Sequence, residues 1–251
     1  MLEFIQKFLY KGFETGDYTN GTLHKLAIVF LIISIILFSY LLRHKDSQYI
    51  HNKMKIIAYI TLIIYLFRRG LNAYFSKNIL EAFWPFYLCN INTIFLSIYI
   101  IFDLNKGKDF FIVTGLIGGL FTFIMPDGIF VDRYLTLGIL DSIMSHYAIV
   151  VIPLVLLITK AYSLDIKRSW QVFIGLIIVV INAEFFQKLL FKKDFDYLFF
   201  DSNLPFTING VPQFLIISIL AIFLVYLIYF LDYLYLSRTL KGHPSQPIKL
   251  N

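Results

Sequence analysis

This sequence of 251 residues contains a single cysteine, Cys89. One cysteine excludes an internal disulfide and any zinc or iron–sulfur site built from several thiolates. Charge is scarce as well: Asp, Glu, Lys and Arg supply 15% of the residues, whereas a soluble domain carries about 25%. A water-soluble surface cannot be built from so few charges, so the composition excludes an ordinary soluble domain.

The charges that are present carry a basic excess, with 22 Lys and Arg against 16 Asp and Glu. They form no continuous stripe and accompany no recognition motif, which argues against nucleic-acid binding. They lie instead in short joints between apolar stretches, where positive charge normally sets the orientation of membrane helices. We therefore expect a membrane protein without a metal site or a cofactor.

Apolar residues make up 59% of the sequence, and its mean hydropathy is +0.74. A bilayer core of about 30 Å needs about 20 mostly apolar residues per helix. Seven stretches meet this requirement: 26–42, 56–75, 83–102, 110–126, 138–159, 170–190 and 212–236. Backbone groups in lipid must pair internally, so these stretches are predicted to be helices. The predicted fold is all-α: a polytopic membrane protein with a seven-transmembrane-helix bundle.

The segments before and after the bundle are short. Residues 1–25 are predicted to form an N-terminal interfacial segment with a short helix, because its apolar side chains share one face. Residues 26–236 form the transmembrane domain, and residues 237–251 form a cytoplasmic C-terminal tail. Of the basic residues in the joints, twelve fall on the side of the C-terminus and eight on the opposite side. The positive-inside rule therefore predicts a cell-membrane protein with its N-terminus outside and its C-terminus in the cytoplasm.

Polar residues within the spans are few, and most fall toward the outer face. An ionisable residue at membrane depth costs about 2.5 to 3.5 kcal/mol on insertion scales, so such residues normally face the bundle interior. Four spans contribute them at a similar level: Arg68, Arg69 and Asn72 from span two, Cys89 and Asn92 from span three, Asp141 and His146 from span five, and Asn182 and Glu184 from span six. Their clustering indicates a site that opens toward the outer leaflet.

The thiol of Cys89 and the imidazole of His146 are the candidate catalytic pair. A helical rise of about 1.5 Å per residue puts Cys89 roughly 9 Å into span three and His146 roughly 12 Å into span five, so we expect them to meet. An imidazole beside a thiol generates the thiolate nucleophile and then carries its proton to the leaving group, which is the minimal apparatus for acyl transfer. Arginines suit a lipid phosphate or a developing oxyanion. The predicted substrate-binding set is Arg68, Arg69, Asn72, Asn92, Asp141, Asn182 and Glu184.

Plainer interpretations of the same residues stay open. Membrane helices use Asn, Ser and His to hydrogen-bond one another, and a buried cysteine is usually a small hydrophobe. A small-molecule transporter, or a substrate-binding membrane subunit, would use the charged residues to line a cavity. The sequence has no inverted repeat and no paired broken helices, which argues against the transporter. A non-catalytic envelope scaffold would use the same residues for stability and assembly alone.

Residues 84–92, which read WPFYLCNIN, resemble the Pro-Leu-His-Leu-Cys signature of the YwaF-like bacterial membrane proteins. Those proteins are similar to the eukaryotic transmembrane protein 164 family. Further along the chain, four features look like later landmarks of that family: Asn182, residues 196–200 (DYLFF), Pro205 and residues 210–212 (GVP). The likeness extends over nearly all seven predicted spans.

The resemblance implies a phospholipid acyltransferase, since members of the eukaryotic branch transfer acyl groups with a cysteine and a histidine in the membrane. It implies Cys89 as the nucleophile, His146 as the general base, and a membrane phospholipid or acyl-lipid as the substrate. Two positions depart from the family pattern: Tyr87 stands where the signature has histidine, and Asp196 where it has asparagine. The predicted function is an integral membrane lipid acyltransferase or a thioester-forming lipid hydrolase, with its site in the outer half of the bilayer.

Overall fold

The computed structural model of the chain describes residues 2–85, 87–126, 128–192 and 210–242. These residues fold into helices, which confirms the predicted all-α class. The helices are α1 (Leu2–Gln6, continued by the π-helical Lys7–Lys11), α2 (Thr22–Leu42), α3 (Ser47–Ser76), α4 (Ile79–Phe83), α5 (Leu88–Ile101), α6 (Lys108–Ile124), α7 (Leu137–Ile158), α8 (Ser169–Val180), α9 (Gln187–Phe191) and α10 (Gln213–Gly242). A 3-10 turn, Ile166–Arg168, precedes α8, and the π-helical Ile181–Phe186 joins α8 to α9.

Five of the helices are long and apolar enough to cross a membrane: α2, α3, α7, the continuous helix Ile166–Phe191 and α10. Each of the other two predicted spans contains a shorter helix, because α5 has 14 residues and α6 has 17. At a rise of about 1.5 Å per residue, fourteen residues extend about 21 Å, which is less than a bilayer core of about 30 Å. Length and composition therefore establish a multi-pass membrane protein with five candidate spans among the described residues.

The predicted span 83–102 is wrong at its outer end. The short helix α4 ends at Phe83, and α5 begins only at Leu88. Proline has no N–H, and its ring disfavours the helical region for the residue before it. Trp84, which precedes Pro85, is accordingly extended, with φ −70° and ψ 124°. Cys89 is therefore the second residue of a helix, and the expected depth of six residues within a continuous helix is corrected.

The centre of the fold is formed by α5, α6 and α7, which pack against one another. In α7, 67% of the most apolar window is buried, compared with 11 to 22% in the other four long helices. The outer helices expose large aliphatic and aromatic side chains around much of their surface. A helix that is apolar all round must be covered by protein or by lipid. We infer that α2, α3, α8, α9 and α10 form the lipid-facing ring.

Glycines on α6 allow the central helices to approach closely. A Cβ atom at Gly115 would lie 2.9 Å from the backbone carbonyl oxygen of Ile149 on α7. A Cβ atom at Gly119 would lie 2.5 Å from Cγ2 of Val150. Small residues spaced by one helical turn commonly mark such contacts between membrane helices. The spacing of Gly115 and Gly119 therefore brings α7 against the backbone of α6.

The N-terminal segment is attached to the loop between α6 and α7. The carboxylate of Asp132, which is 1% exposed, accepts hydrogen bonds from the backbone N–H groups of Phe13 at 2.6 Å and Glu14 at 3.1 Å. The N–H group of Gly16 donates to the carbonyl oxygen of Val131 at 3.0 Å. The start of the chain and the α6–α7 loop consequently lie at the same end of the bundle. The interfacial location of α1 stays a prediction.

The opposite end of the bundle is held by the carboxylate of Asp109, which is 1% exposed at the start of α6. It accepts hydrogen bonds from the hydroxyl groups of Tyr162 and Tyr229, the latter at 3.0 Å, and from Nε of Arg168 at 3.3 Å. Burial, and then the neighbouring Asp109 carboxylate, raise the pKa of Tyr162, so its hydroxyl stays protonated and keeps donating. One carboxylate thus ties α6 to α10 and to the segment that leads into α8.

Candidate functional site

Cys89 lies in the first turn of α5, half-buried against α6. Its Sγ atom is 3.9 Å from Oγ1 of Thr122. A Cβ atom at Gly118, one turn earlier on α6, would lie 3.3 Å from the same sulfur. The thiol can approach α6 this closely because Gly118 has no side chain.

His146 lies on α7 with a defined ring orientation. Its Nδ1 atom is 2.7 Å from the backbone carbonyl oxygen of Ser142. A carbonyl oxygen can only accept a hydrogen bond, so Nδ1 carries the proton in this contact. The neutral imidazole then has an unprotonated Nε2 atom, the state that a general base requires.

Thr122 lies next to both members of the predicted pair. The thiol of Cys89 and the imidazole of His146 make no hydrogen bond to each other; their partners are Thr122 and Ser142. A small cavity of about 10 Å³ lies between α6 and α7, lined by Thr122, Phe123, Ile129, Phe130, Ser142, Ile143 and His146. Thr122 therefore contacts the sulfur and borders the cavity that the histidine lines.

Arg68 and Asp141 join α3 to α7. Nη1 of Arg68 donates to Oδ2 of Asp141 over 3.2 Å, and the two side chains are 30% and 5% exposed. A Cβ atom at Gly138 would lie 3.2 Å from Nη2 of Arg68, so this glycine leaves room for the guanidinium group. The other oxygen, Oδ1 of Asp141, has no hydrogen-bond partner among the described residues.

Arg69 and Asn72 point to different surroundings. The guanidinium group of Arg69 lies over the ring of Tyr65, 4.8 Å from its centroid, and Nη1 donates to the carbonyl oxygen of Ala82 at 3.4 Å. This bond connects α3 to α4. Asn72 is half-buried and makes no hydrogen bond to the described part of the chain.

Two other predicted substrate-binding residues, Asn92 and Glu184, make contacts within the protein. Asn92 is fully buried, and its Oδ1 atom accepts a hydrogen bond from Oγ1 of Thr114 at 3.1 Å. Glu184 lies 3.8 Å from Lys188, one helical turn away, with both side chains partly exposed. These contacts link α5 to α6 and stabilise the helix after α8, respectively. Neither residue contacts Cys89 or His146 through these bonds.

Asn182 holds the irregular segment that precedes α5. Its Oδ1 atom accepts a hydrogen bond from Nε1 of Trp84 at 2.8 Å, and its Nδ2 atom donates to the carbonyl oxygen of Pro85 at 2.8 Å. It lies within the π-helical Ile181–Phe186, a type of turn that often occurs at functional sites. Asn182 therefore fixes the position of Trp84 and Pro85, which precede Cys89 in the chain.

A second cavity is an apolar groove of about 770 Å³ between α5 and α8. Its lining runs from Trp84 and Asn182 at one end to Leu104 and Phe110 at the other. Cys89 and His146 do not line it. Since Ile91 and Phe95 face the groove, a helical period of 3.6 residues turns Cys89 away from it. The groove and the thiol lie on different faces of α5.

Thr122 is the residue near the thiol that the sequence reasoning missed. It lies in an apolar stretch with no charged neighbour, so no spacing signal set it apart. Tyr87, which replaces the signature histidine, is the exposed residue immediately before α5. The predicted landmarks at 196–200 and Pro205, together with Phe86 of the signature and most of the tail 237–251, lie outside the described residues.

Comparison with known proteins gives one family match. The model of the TMEM164 family matches residues 19–231, which include the Cys89 and His146 segments and all seven predicted spans except the end of the last. No curated relative and no solved structure matches the chain.

Proposed function

The chain belongs to the TMEM164 family, and from this premise we propose that it is an integral membrane lipid acyltransferase, or a thioester-forming lipid hydrolase. In this proposal Cys89 is the nucleophile and His146 is the general base. The family match supports a membrane protein of acyltransferase type. The assignment of the two residues is supported by the local arrangement, in which the thiol and the cavity of the imidazole meet at Thr122.

The observation that carries the proposal is the contact between Nδ1 of His146 and the carbonyl oxygen of Ser142. The Nδ1–H group is engaged by this oxygen at 2.7 Å, which leaves Nε2 as the acceptor. A cysteine thiol is a weak nucleophile until a base removes its proton. Among the described histidines, His146 is the one that lines the cavity bordered by Thr122.

The reaction has two steps. His146 takes the proton of the Cys89 thiol, and the thiolate attacks the acyl carbonyl carbon of a phospholipid. The tetrahedral intermediate collapses, the acyl–oxygen bond breaks, and the imidazolium returns the proton to the departing lysolipid oxygen. An acyl-Cys89 thioester results. An acceptor hydroxyl group then takes the acyl chain in a transferase, and water takes it in a hydrolase.

Arg68 and Asp141 are proposed to hold the polar part of the substrate. Arg68 is partly exposed, and the guanidinium group presents several N–H donors in a planar fork that suits a phosphate group. Asp141 orients Arg68 and would keep it from extending to the bilayer surface. Of the remaining predicted residues, Arg69, Asn92, Asn182 and Glu184 are proposed to support this site through the contacts described above. Asn72 is proposed to face the substrate without a hydrogen bond to the described part of the chain.

The proposal includes seven membrane passes, with the N-terminus outside and the C-terminus in the cytoplasm. The shorter helices α5 and α6 lie in the middle of the bundle, where irregular backbone at membrane depth is tolerated because protein surrounds it. The contact of Asp132 with Phe13 and Glu14 agrees with an N-terminal segment on the same side as the α6–α7 loop.

Single-cysteine labelling tests this topology in a Cys89→Ser background. Thr19→Cys and Lys106→Cys replace exposed residues in the N-terminal segment and in the joint between α5 and α6. A membrane-impermeant maleimide should label Thr19→Cys in intact cells, and Lys106→Cys only after permeabilisation. Labelling of Lys106→Cys in intact cells would contradict the crossing of α5 and α6.

Phospholipid labelled in one acyl chain tests the proposed reaction. Membranes that contain the wild-type protein should redistribute the label into new phospholipid or free fatty acid, and Cys89→Ser and His146→Ala should abolish the redistribution. His44→Ala is the matched control, because His44 is exposed in the joint after α2. Unchanged redistribution in both site variants would contradict the proposal. Loss of solute uptake in Arg69→Ala, with Cys89→Ser silent, would favour a transporter.

A further inference from the structure

The hydroxyl group of Thr122 is placed to accept a hydrogen bond from the thiol of Cys89. Its own proton is donated to the carbonyl oxygen of Gly118 at 2.8 Å. An S–H group is a weak donor and a hydroxyl oxygen has two lone pairs, so the 3.9 Å contact is compatible with donation from Sγ to Oγ1. With the Thr122 proton donated to Gly118, the thiol is the group left to donate in this contact.

The cavity between Thr122 and His146 matches the size of one water molecule. Its volume is about 10 Å³, and a water molecule requires about 10 to 15 Å³ of such space together with two to four polar partners. Thr122, Ser142 and His146 are the polar residues of its lining. The rest of the lining is apolar, so the polar groups would define where such a water molecule binds.

We propose that Thr122, together with one water molecule in this cavity, relays the proton of the Cys89 thiol to Nε2 of His146. The inference rests on the proposed function. Sγ gives its proton to Oγ1 of Thr122 while the hydroxyl proton of Thr122 leaves Gly118 for the water molecule. The water molecule gives one of its protons to Nε2. The products are a thiolate and an imidazolium, and Thr122 and water are unchanged.

The relay explains how two groups without a mutual hydrogen bond act as one unit. Two other threonines near the site donate to carbonyl oxygens: Thr93 to Cys89 at 2.8 Å and Thr114 to Phe110 at 2.6 Å. Among these three threonines, Thr122 is the one that both contacts the sulfur and lines the cavity of His146. Thr93 is consequently a close control, since its hydroxyl lies beside Cys89 outside the relay.

Alkylation of Cys89 tests the relay without any lipid substrate. The protein has a single cysteine, so the rate of modification by a small maleimide at neutral pH reports the thiolate of Cys89 alone. We expect Thr122→Val to lower this rate by about a hundredfold, the lower end of the effect of general-base assistance. Thr122→Ser should restore most of the rate, and Thr93→Val should leave it near the wild-type value. A uniform loss of rate in all three variants would indicate altered packing and overturn the proposal.

The double variant Thr122→Val/His146→Ala decides whether the two residues act together. Members of one relay are expected to be non-additive, so the double variant should react no more slowly than the slower single variant. If the rate reductions of the two single variants multiply in the double variant, the relay is overturned. An alkylation rate of Thr122→Val equal to that of the wild type would also overturn it. An acyl-Cys89 adduct could still form in that case, so failure of the relay and failure of the proposed function give different results.

Discussion

Nη1 of Arg68 donates a hydrogen bond to Oδ2 of Asp141 over 3.2 Å, and this ion pair links α3 to α7 beside the candidate site. The Asp141 side chain is 5% exposed, whereas that of Arg68 is 30% exposed. The Asp141 carboxylate therefore needs Arg68 as its counter-charge, because a buried charge without one is costly. The guanidinium side chain of Arg68 remains partly exposed.

Arg68→Gln is expected to destabilise the protein by about 3 kcal/mol, the lower end for breaking a buried ion pair, since it leaves the buried Asp141 carboxylate without the cation that it bonds. Arg133→Gln is the matched control: Arg133 pairs with Glu14 at 3.5 Å, with the side chains 61% and 49% exposed. Exposed pairs contribute about 0 to 1 kcal/mol. Thermal unfolding in detergent would compare the two variants, and equal losses would contradict a structural role of the Arg68–Asp141 pair.

Asn182→Leu is expected to release the segment before α5, because Trp84 and Pro85 each lose a hydrogen-bond partner. An unsatisfied buried group costs about 1 to 3 kcal/mol. The chain has two tryptophans, so in a Trp170→Phe background the fluorescence reports Trp84 alone. Acrylamide should quench Trp84 more strongly in Asn182→Leu than in the parent. Asn72→Leu, which removes no described hydrogen bond, should leave the quenching unchanged.

Gly115→Ala is expected to separate α6 from α7. The new Cβ atom would lie 2.9 Å from the backbone carbonyl oxygen of Ile149, and overpacking of this kind costs about 1 to 3 kcal/mol. Gly70→Ala is the control, since a Cβ atom there has nothing within 4 Å and alanine favours a helix by about 0.5 to 1 kcal/mol over glycine. Gly115→Ala should lower the melting temperature, and Gly70→Ala should raise it. A higher melting temperature in Gly115→Ala would contradict the close contact between α6 and α7.

Tyr162→Phe is expected to cost about 1.5 to 3 kcal/mol, because the buried carboxylate of Asp109 loses a hydrogen-bond donor. Burial and Asp109 raise the pKa of Tyr162 above its ordinary value, which is about 10. The stability that this raised pKa contributes is complete below about pH 10 and is lost as the pH rises toward the folded-state value. The wild type should therefore lose stability above pH 10 more steeply than Tyr162→Phe. The exposed Tyr233→Phe should behave like the wild type.

The helices were predictable because the requirement behind them is local. A stretch of about 20 apolar residues meets the length of the bilayer core wherever it lies in the chain. The interruption before α5 also has a local cause, since Pro85 follows Trp84. The predicted span 83–102 overlooked it because the apolar composition continues through both residues. Hydropathy alone therefore predicted an apolar helix in this region and misplaced its outer end.

The partners of the polar residues were less predictable, because a helical face can be derived from spacing but the helix that it meets cannot. Asn182 is a polar residue in an apolar span, which is typical of a ligand-binding residue. In the structure, however, its side chain forms hydrogen bonds with Trp84 and Pro85. Thr122 reaches the thiol only because Gly118 is small and α5 crosses at that level. Contacts between residues 33 positions apart depend on the tertiary packing. The resemblance to the transmembrane protein 164 family, which the match over residues 19–231 confirms, was carried mainly by the residues around Cys89.

The central claim, an acyl group carried by Cys89, is tested most directly by the intact mass of the purified protein before and after neutral hydroxylamine, which cleaves thioesters. After incubation with phospholipid, the wild type should gain the mass of one acyl chain and lose it on treatment. Cys89→Ser should show no hydroxylamine-sensitive gain, and His146→Ala should acquire the adduct far more slowly. A wild-type protein that stays unmodified with lipid supplied, or an equal adduct on Cys89→Ser, would contradict the account.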